Sequence, residues 1–286
     1  MAVKQPEQRR SSPEEPEPDQ ITPKRLGIPW RKAVRWLPAL AIIAALVGGW
    51  EAYAVLFDVP RWLLPRPSVI AQELVTRRSM LLGHTWVTLE EVLLGFSVAL
   101  SGGVVLATMI AYSRTLERSL YPLVIASQTI PIIAIAPLLL IWIGYGIGPK
   151  IIVVALIAFF PIVVNTVDGL KAVDGDMVNM MRTLGASQWQ IFTKIQVPNS
   201  LPFFFSGVRV AMAVSVIGAV IGEWVGSSKG LGYLMIRSKP QFLTERVFAA
   251  IFILAVMGIG LFLVVGAVER YLLPWHGRDR QAAARE

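Results

Sequence analysis

The chain has 286 residues, of which 55% are hydrophobic and only 16% charged, and it contains no cysteine. So little charge excludes an ordinary soluble domain of this length, and the absence of thiols excludes disulfides, thiolate metal centres and cysteine redox chemistry. The formal charge of +8 does not argue for nucleic acid. The basic residues stand mostly at the ends of apolar stretches, where topology and lipid headgroups account for them.

Residues 1–30 differ in material from the rest, being rich in Pro, Glu, Gln and Ser. Such a segment cannot bury enough apolar surface to offset its ordering entropy, so a disordered tail is expected. The apolar run begins only after this long, partly acidic leader, which argues against a cleaved signal peptide. A transmembrane domain is expected over 31–275, followed by a short tail over 276–286 that holds one of the two histidines, His276. That residue and His84 stand far apart, and neither is expected to be catalytic or to hold a metal.

Six stretches are long and apolar enough to cross a bilayer as helix, at 36–57, 86–112, 120–143, 151–167, 203–225 and 247–268. The fold expected is therefore all-α and integral to the membrane, with six transmembrane helices. Pro131 and Pro137 punctuate the third stretch and Pro161 the fourth. Prolines are tolerated in spans where neighbouring helices satisfy the freed backbone groups. With the N-terminus inside, 18 of the 27 Lys and Arg residues fall on the inner side. Both termini are then cytoplasmic, and so is the polar break at 168–202.

On the outer side, Ser68 is expected to cap a short helix carrying Val69, Ile70, Leu74 and Val75. Gly230-Leu231-Gly232-Tyr233 is expected to turn into a short amphipathic stretch. Glu51 is placed at the outer interface, and Glu90 and Glu91 at the N-terminus of the second span, where carboxylates suit the helix dipole. Arg209 is expected to snorkel to the headgroups.

The break at 168–202 has helix-turn-helix form. Val173, Met177, Met180, Met181 and Leu184 make an apolar stripe at helical spacing. Gly185 permits a backbone bend, and Ser187 with Gln190 has the spacing of a capping box. The second helix is expected to end near Val197, stopped by Pro198. An amphipathic face of this kind suits either the headgroup layer or a docking partner.

For a translocation path the candidates are uncharged polar side chains in the spans: Ser127, Gln128, Thr129, Asn165, Thr166 and Ser215. Such residues also bond across helices as packing groups. Glu223 joins the candidates as an intramembrane acid, with pairing to Lys229 or Arg246 as the competing role. Gly218-x-x-x-Gly222 and Gly102-Gly103 fit close helix packing. The glycine clusters at 144–150 and 226–230 lack the frame of a phosphate-binding loop, so no nucleotide, metal or other cofactor is expected.

The polar break resembles the cytoplasmic loop of binding-protein-dependent ABC importer permeases. That family's pattern is E-A-A, three residues, G, nine residues, I-x-L-P. Gly185, Ile195 and Pro198 match it, Val197 replaces Leu, and Asn179, Met180 and Met181 replace E-A-A. Leu64-Pro65-x-Pro67-Ser68, Trp142-x-Gly144, Phe159-Phe160-Pro161 and Gly230-Leu231-Gly232 are similar to the nitrate/sulfonate/taurine branch. Gln128-Thr129-Ile130-Pro131 with Ala134-Ile135-Ala136-Pro137-Leu138 is similar to the permeases for a thiamine-precursor pyrimidine or riboflavin.

The resemblance implies a type I importer permease without catalytic residues of its own. It implies a loop at Asn179, Met180, Met181, Thr183, Leu184, Gly185, Ala186, Ser187, Ile195 and Pro198 that docks on a separate ATPase dimer. A second permease chain, an identical one forming a homodimer, and an extracytoplasmic solute-binding protein complete the assembly in a bacterial inner membrane. The cargo implied is a vitamin or its precursor, with taurine, alkanesulfonate or nitrate as the alternative. A self-standing secondary transporter would need coupling acids deep in the spans, which are scarce. A membrane enzyme would need clustered His and carboxylates, which the sequence does not place together.

Overall fold

A computed structural model describes residues 37–274. The two tails, with His276, lie outside the described residues. Among the described residues, packing separates 37–48 from 49–274. Helices α1 (Leu37–Leu56), α2 (Pro67–Thr76), α3 (Arg78–Tyr112), α4 (Arg114–Ser127), α5 (Ile132–Ile143) and α6 (Ile147–Lys171) come first. Then follow α7 (Gly175–Thr183), α8 (Gln188–Ile191), a π-helical turn at Phe192–Gln196, α9 (Val197–Gly226), α10 (Leu231–Ser238) and α11 (Thr244–Leu272).

Five helical rods among the described residues are long and apolar enough to cross a membrane: α1, α3, α6, the continuous run Gln188–Gly226, and α11. The third expected span differs. It divides into α4 and α5, bent by 96° across 128–131. Pro131 is the cause at the residue level. It has no N–H for the ladder and keeps Ile130 out of helical conformation, so the chain turns and restarts. Tyr121, Leu120 and Val124 of α4 pack with Ile110 of α3 and Val163 and Val167 of α6, whereas Ala136 and Leu139 of α5 pack with Val153.

The core is a three-helix seam of α3, α6 and α9, with Val92, Ala99, Val154, Ala158, Ile162, Ala211 and Ala219 buried in it. In lipid there is little hydrophobic force between helices, so close van der Waals approach must hold the seam. The glycines permit it, as the sequence suggests. A Cβ at Gly218 would stand 2.9 Å from the Val154 Cα, and one at Gly222 would stand 3.2 Å from the Lys150 Cα. Toward α3, a Cβ at Gly103 would meet the Ile162 side chain at 2.9 Å.

The short helix α2 is capped differently from expectation. Ser68 lies inside its first turn, and Glu51 of α1 reaches over to accept the Ser68 N–H at 3.0 Å and its hydroxyl at 2.7 Å. A carboxylate there answers both the open N–H groups and the helix dipole.

Candidate functional site

The polar break is a compact device at one end of the long rod that carries α9. Helix α6 runs on to Lys171, and α7 starts only at Gly175. Asp174 caps α7 by accepting the Asp176 N–H at 2.9 Å. The Asp-Gly pair at 174–175 is the signal that could have placed this start. Thr183 ends α7, its hydroxyl donating to the Asn179 carbonyl at 3.1 Å, and the chain reverses through Gly185 at φ +81°. That conformation is open to glycine and strained for residues with a Cβ.

Ser187 then starts α8 with a complete capping box. Its hydroxyl accepts the Gln190 N–H at 3.3 Å, and the Gln190 side chain accepts the Ser187 N–H at 2.8 Å. Met177, Met180, Leu184 and Trp189 project outward, exposed. Asn179 and Ser187 are exposed too, with Ala186 and Met181 half-buried. Met177, Met180, Met181, Lys194, Ile195 and Pro198 line an open groove of about 720 Å³. It holds the greater part of the apolar stripe and both residues that end the sequence pattern.

Pro198 does not stop the second helix. It occupies the first turn of α9, and the helix continues through it. The turn before it is wide: the Val197 N–H donates to the Phe192 carbonyl, five residues back. A π turn relieves the clash that a proline ring makes with the carbonyl four residues earlier and absorbs the missing N–H. Ile191 and Phe192 are buried at this point, and Phe192 packs edge-on against Tyr112.

The other end of α9 carries a second polar cluster, which sequence reasoning read only in part. Helix α10 begins with four N–H groups that have no partner in their own helix. All four are satisfied from elsewhere. Gly230 donates to His84 Nδ1 at 3.0 Å, Leu231 to Thr88 Oγ1 at 2.9 Å, and Gly232 and Tyr233 to Glu223 Oε2 at 2.5 and 3.2 Å. Thr88 also donates to Glu223 Oε1 at 2.6 Å. Gly230 has φ +114°, and a Cβ there would overlap the Glu223 carboxylate. Beside this clamp, Lys150 of α6 donates to Glu91 at 2.6 Å and to Ser227 at 2.8 Å.

Two expectations change here. Glu91 is not at a helix N-terminus: α3 starts at Arg78, and Glu91 is buried mid-helix in an ion pair. Glu223 does not pair with Lys229 or Arg246. Arg246 pairs with Glu73 at 2.8 Å instead. The carboxylate of Glu223 is tolerated in an apolar bundle because three donors and the α10 dipole answer it.

Residues 100–274 match the family model of the binding-protein-dependent transport system inner membrane component. The chain belongs to this family. It is a permease subunit of an ABC importer, multi-pass in the inner membrane. It is 40% identical to the formylaminopyrimidine transport permease protein ThiX of Halalkalibacterium halodurans, over 80% of this chain and 92% of that one. It is 36% identical to the riboflavin transport system permease protein RibX of Chloroflexus aurantiacus, over 83% and 91%. It is 32% identical to the putative aliphatic sulfonates transport permease protein SsuC of Bacillus subtilis, over 86% and 90%. In fold it is similar to a chain of the MetNI methionine ABC transporter in an inward-facing conformation, with a TM-score of 0.59 at 18% identity, covering 68% of this chain and 97% of that one.

The candidate path residues of the permease fall into two groups. Ser127, Gln128 and Thr129 are exposed at the break between α4 and α5. Thr166 and Ser215 are buried, and their hydroxyls return to the carbonyls of Ile162 and Ala211 in their own helices. Asn165 does the same toward Pro161 at 2.8 Å and abuts Gly207. Glu223 is enclosed in the clamp, 2% exposed. Arg209 is half-buried: it pairs with Glu269 of α11 and lies over the Phe262 ring. The Glu269 carboxylate answers the part of the guanidinium that the helices cover, and that partner, 60 positions away in the chain, gives no local signal.

Proposed function

We infer that this permease imports a small heterocyclic vitamin or vitamin precursor of the formylaminopyrimidine or riboflavin class. A solute-binding protein delivers the cargo outside, and a separate ATPase pair grips the loop at 168–202 inside. Both termini are cytoplasmic, and a second copy of the chain completes the path. The gradient of identity supports the cargo class: 40% and 36% toward the two heterocycle permeases against 32% toward the sulfonate one. The loop supports the docking: its Met177, Met180 and Leu184 side chains stand about half or more exposed on a short, doubly capped helical hairpin. Methionine suits such a surface because it is apolar and adaptable. With Asn179 where the related loops carry an acid, the apolar face carries the grip. ATP-driven closure of the ATPase pair moves the loops, and the spans swing between outward-open and inward-open. Ser127, Gln128 and Thr129, exposed at the bent third span, are the path residues this reading favours.

The test of cargo is thermal-shift screening of the adjacent solute-binding protein against formylaminopyrimidine, riboflavin, taurine, an alkanesulfonate and nitrate. Stabilisation by one of the two heterocycles is the expected result. Stabilisation by a sulfonate or nitrate alone selects the second reading, which the SsuC similarity favours.

A further inference from the structure

The two polar devices of the permease sit on one rod. From Gln188 at the capped loop to Gly226 beside the clamp, the chain is a single helical run of 39 residues. At 1.5 Å per residue that is about 58 Å. Its one irregularity, the π turn at Phe192–Gln196, is pinned by burial of Ile191 and Phe192. Close approach to α6 at Gly207, Gly218 and Gly222 holds the rest. At the far end the rod does not simply stop. Glu223, one turn from its end, holds two of the four open N–H groups of α10 and the Thr88 hydroxyl of α3.

We propose that Glu223 is a positioning residue that makes α10 move as one body with the coupling loop. The carboxylate fixes the direction in which α10 leaves the rod, and the exposed Ile236, Arg237 and Lys239 are carried with it. Events at that surface and events at the loop are then two ends of one lever. The chain between them at 227–229 is a short bend, and the side-chain bonds of Glu223, with the close approach of Gly232 to Val220, keep it from acting as a hinge. Two contacts compete with this arrangement: Leu234 packs with Ala249 of α11, and Ile70 of α2 joins the same apolar group. Without Glu223, α10 follows α11 rather than α9. This proposal rests on the reading of 168–202 as the ATPase-docking loop.

The chain contains no cysteine, so spin labels can be placed without background. Gln188→Cys and Arg237→Cys put labels on the loop and on α10, with the labelled chain diluted by unlabelled copies in the complex with its ATPase. Their distance is measured by pulsed electron paramagnetic resonance, nucleotide-free and trapped with ATP and vanadate. The proposal expects one narrow distribution, the same in both states. With Glu223→Ala it broadens or shifts on trapping, whereas Glu223→Gln, whose carbonyl still accepts the two N–H groups, keeps it narrow. A distance in the parent that changes on trapping, or one that stays narrow in Glu223→Ala, overturns the proposal.

Where the alanine variant does not assemble, Thr88→Val, which removes the donor to Glu223 and the acceptor for the Leu231 N–H together, is expected to broaden the distribution on trapping, and a narrow one contradicts the proposal. Activity gives a second readout. Stimulation of ATP hydrolysis by the binding protein, loaded with the compound that stabilises it in the screen, is expected to fall at least tenfold in Glu223→Ala. The unstimulated rate is expected to hold. Equal stimulation in variant and parent contradicts the proposal. Retention of the ATPase on purification is scored separately, so loss of docking is not confused with loss of the lever.

Discussion

The Lys150 ammonium lies 2.6 Å from Glu91 and 2.8 Å from the Ser227 hydroxyl, with the Glu91 side chain 1% exposed. Removing one partner of such a pair leaves a charge in a medium that cannot hydrate it. Lys150→Met is therefore expected to cost about 3–5 kcal/mol of stability. Replacing both partners removes the stranded charge, so Lys150→Met with Glu91→Leu is expected to recover most of that loss. Thermal unfolding in detergent checks both, and a single variant that melts with the parent contradicts the assignment. Arg209, half-buried, and Glu269 form a second ion pair, between α9 and α11. These pairs explain why acids and bases in the spans resist reading from local sequence. Glu91 looks like the opening residue of an apolar stretch, and only the fold brings Lys150 to it across 59 positions.

Single elements were more legible, where the determinants are local. The Ser187–Gln190 capping box and the bend at Gly185 use residues within one turn of each other, and both stand in the structure as their spacing predicts. Gly185→Pro fixes φ near −65° where the chain needs +81°. It is expected to break the hairpin and release the ATPase. Ser187→Ala removes one cap and is expected to loosen α8 by about 1 kcal/mol, seen as faster amide exchange at 188–191 with the spans unchanged. Pro198 was misleading for a physical reason: a π turn upstream absorbed the proline, and no sequence rule announces such a turn. Pro131 reads from sequence as a proline tolerated within one span, and its 96° bend depends on α4 packing against α3 and α6 while α5 packs elsewhere. Gly218→Leu tests the seam. With the Val154 Cα 2.9 Å from where a Cβ would lie, the added side chain forces α9 from α6. The expected result is loss of the monodisperse permease on size exclusion, and normal behaviour of the variant contradicts the packing.

The permease is built on a seam of three tightly packed helices, with the polar loop at one end of α9 and a clamped helix at the other. Hydropathy and charge bias disclosed the spans and the side on which the loop is expected, because lipid imposes those patterns along the chain. They did not disclose the clamp, whose acceptors His84 and Thr88 lie more than 140 positions from the N–H groups they satisfy. Co-purification of the neighbouring ATPase with tagged permease measures whether the loop grips it. The parent and Glu223→Gln are expected to retain the ATPase, while Met180→Glu and Gly185→Pro, with folded spans, are expected to lose it. Retention of the ATPase at parental stoichiometry by both loop variants would show that the loop is not the docking element.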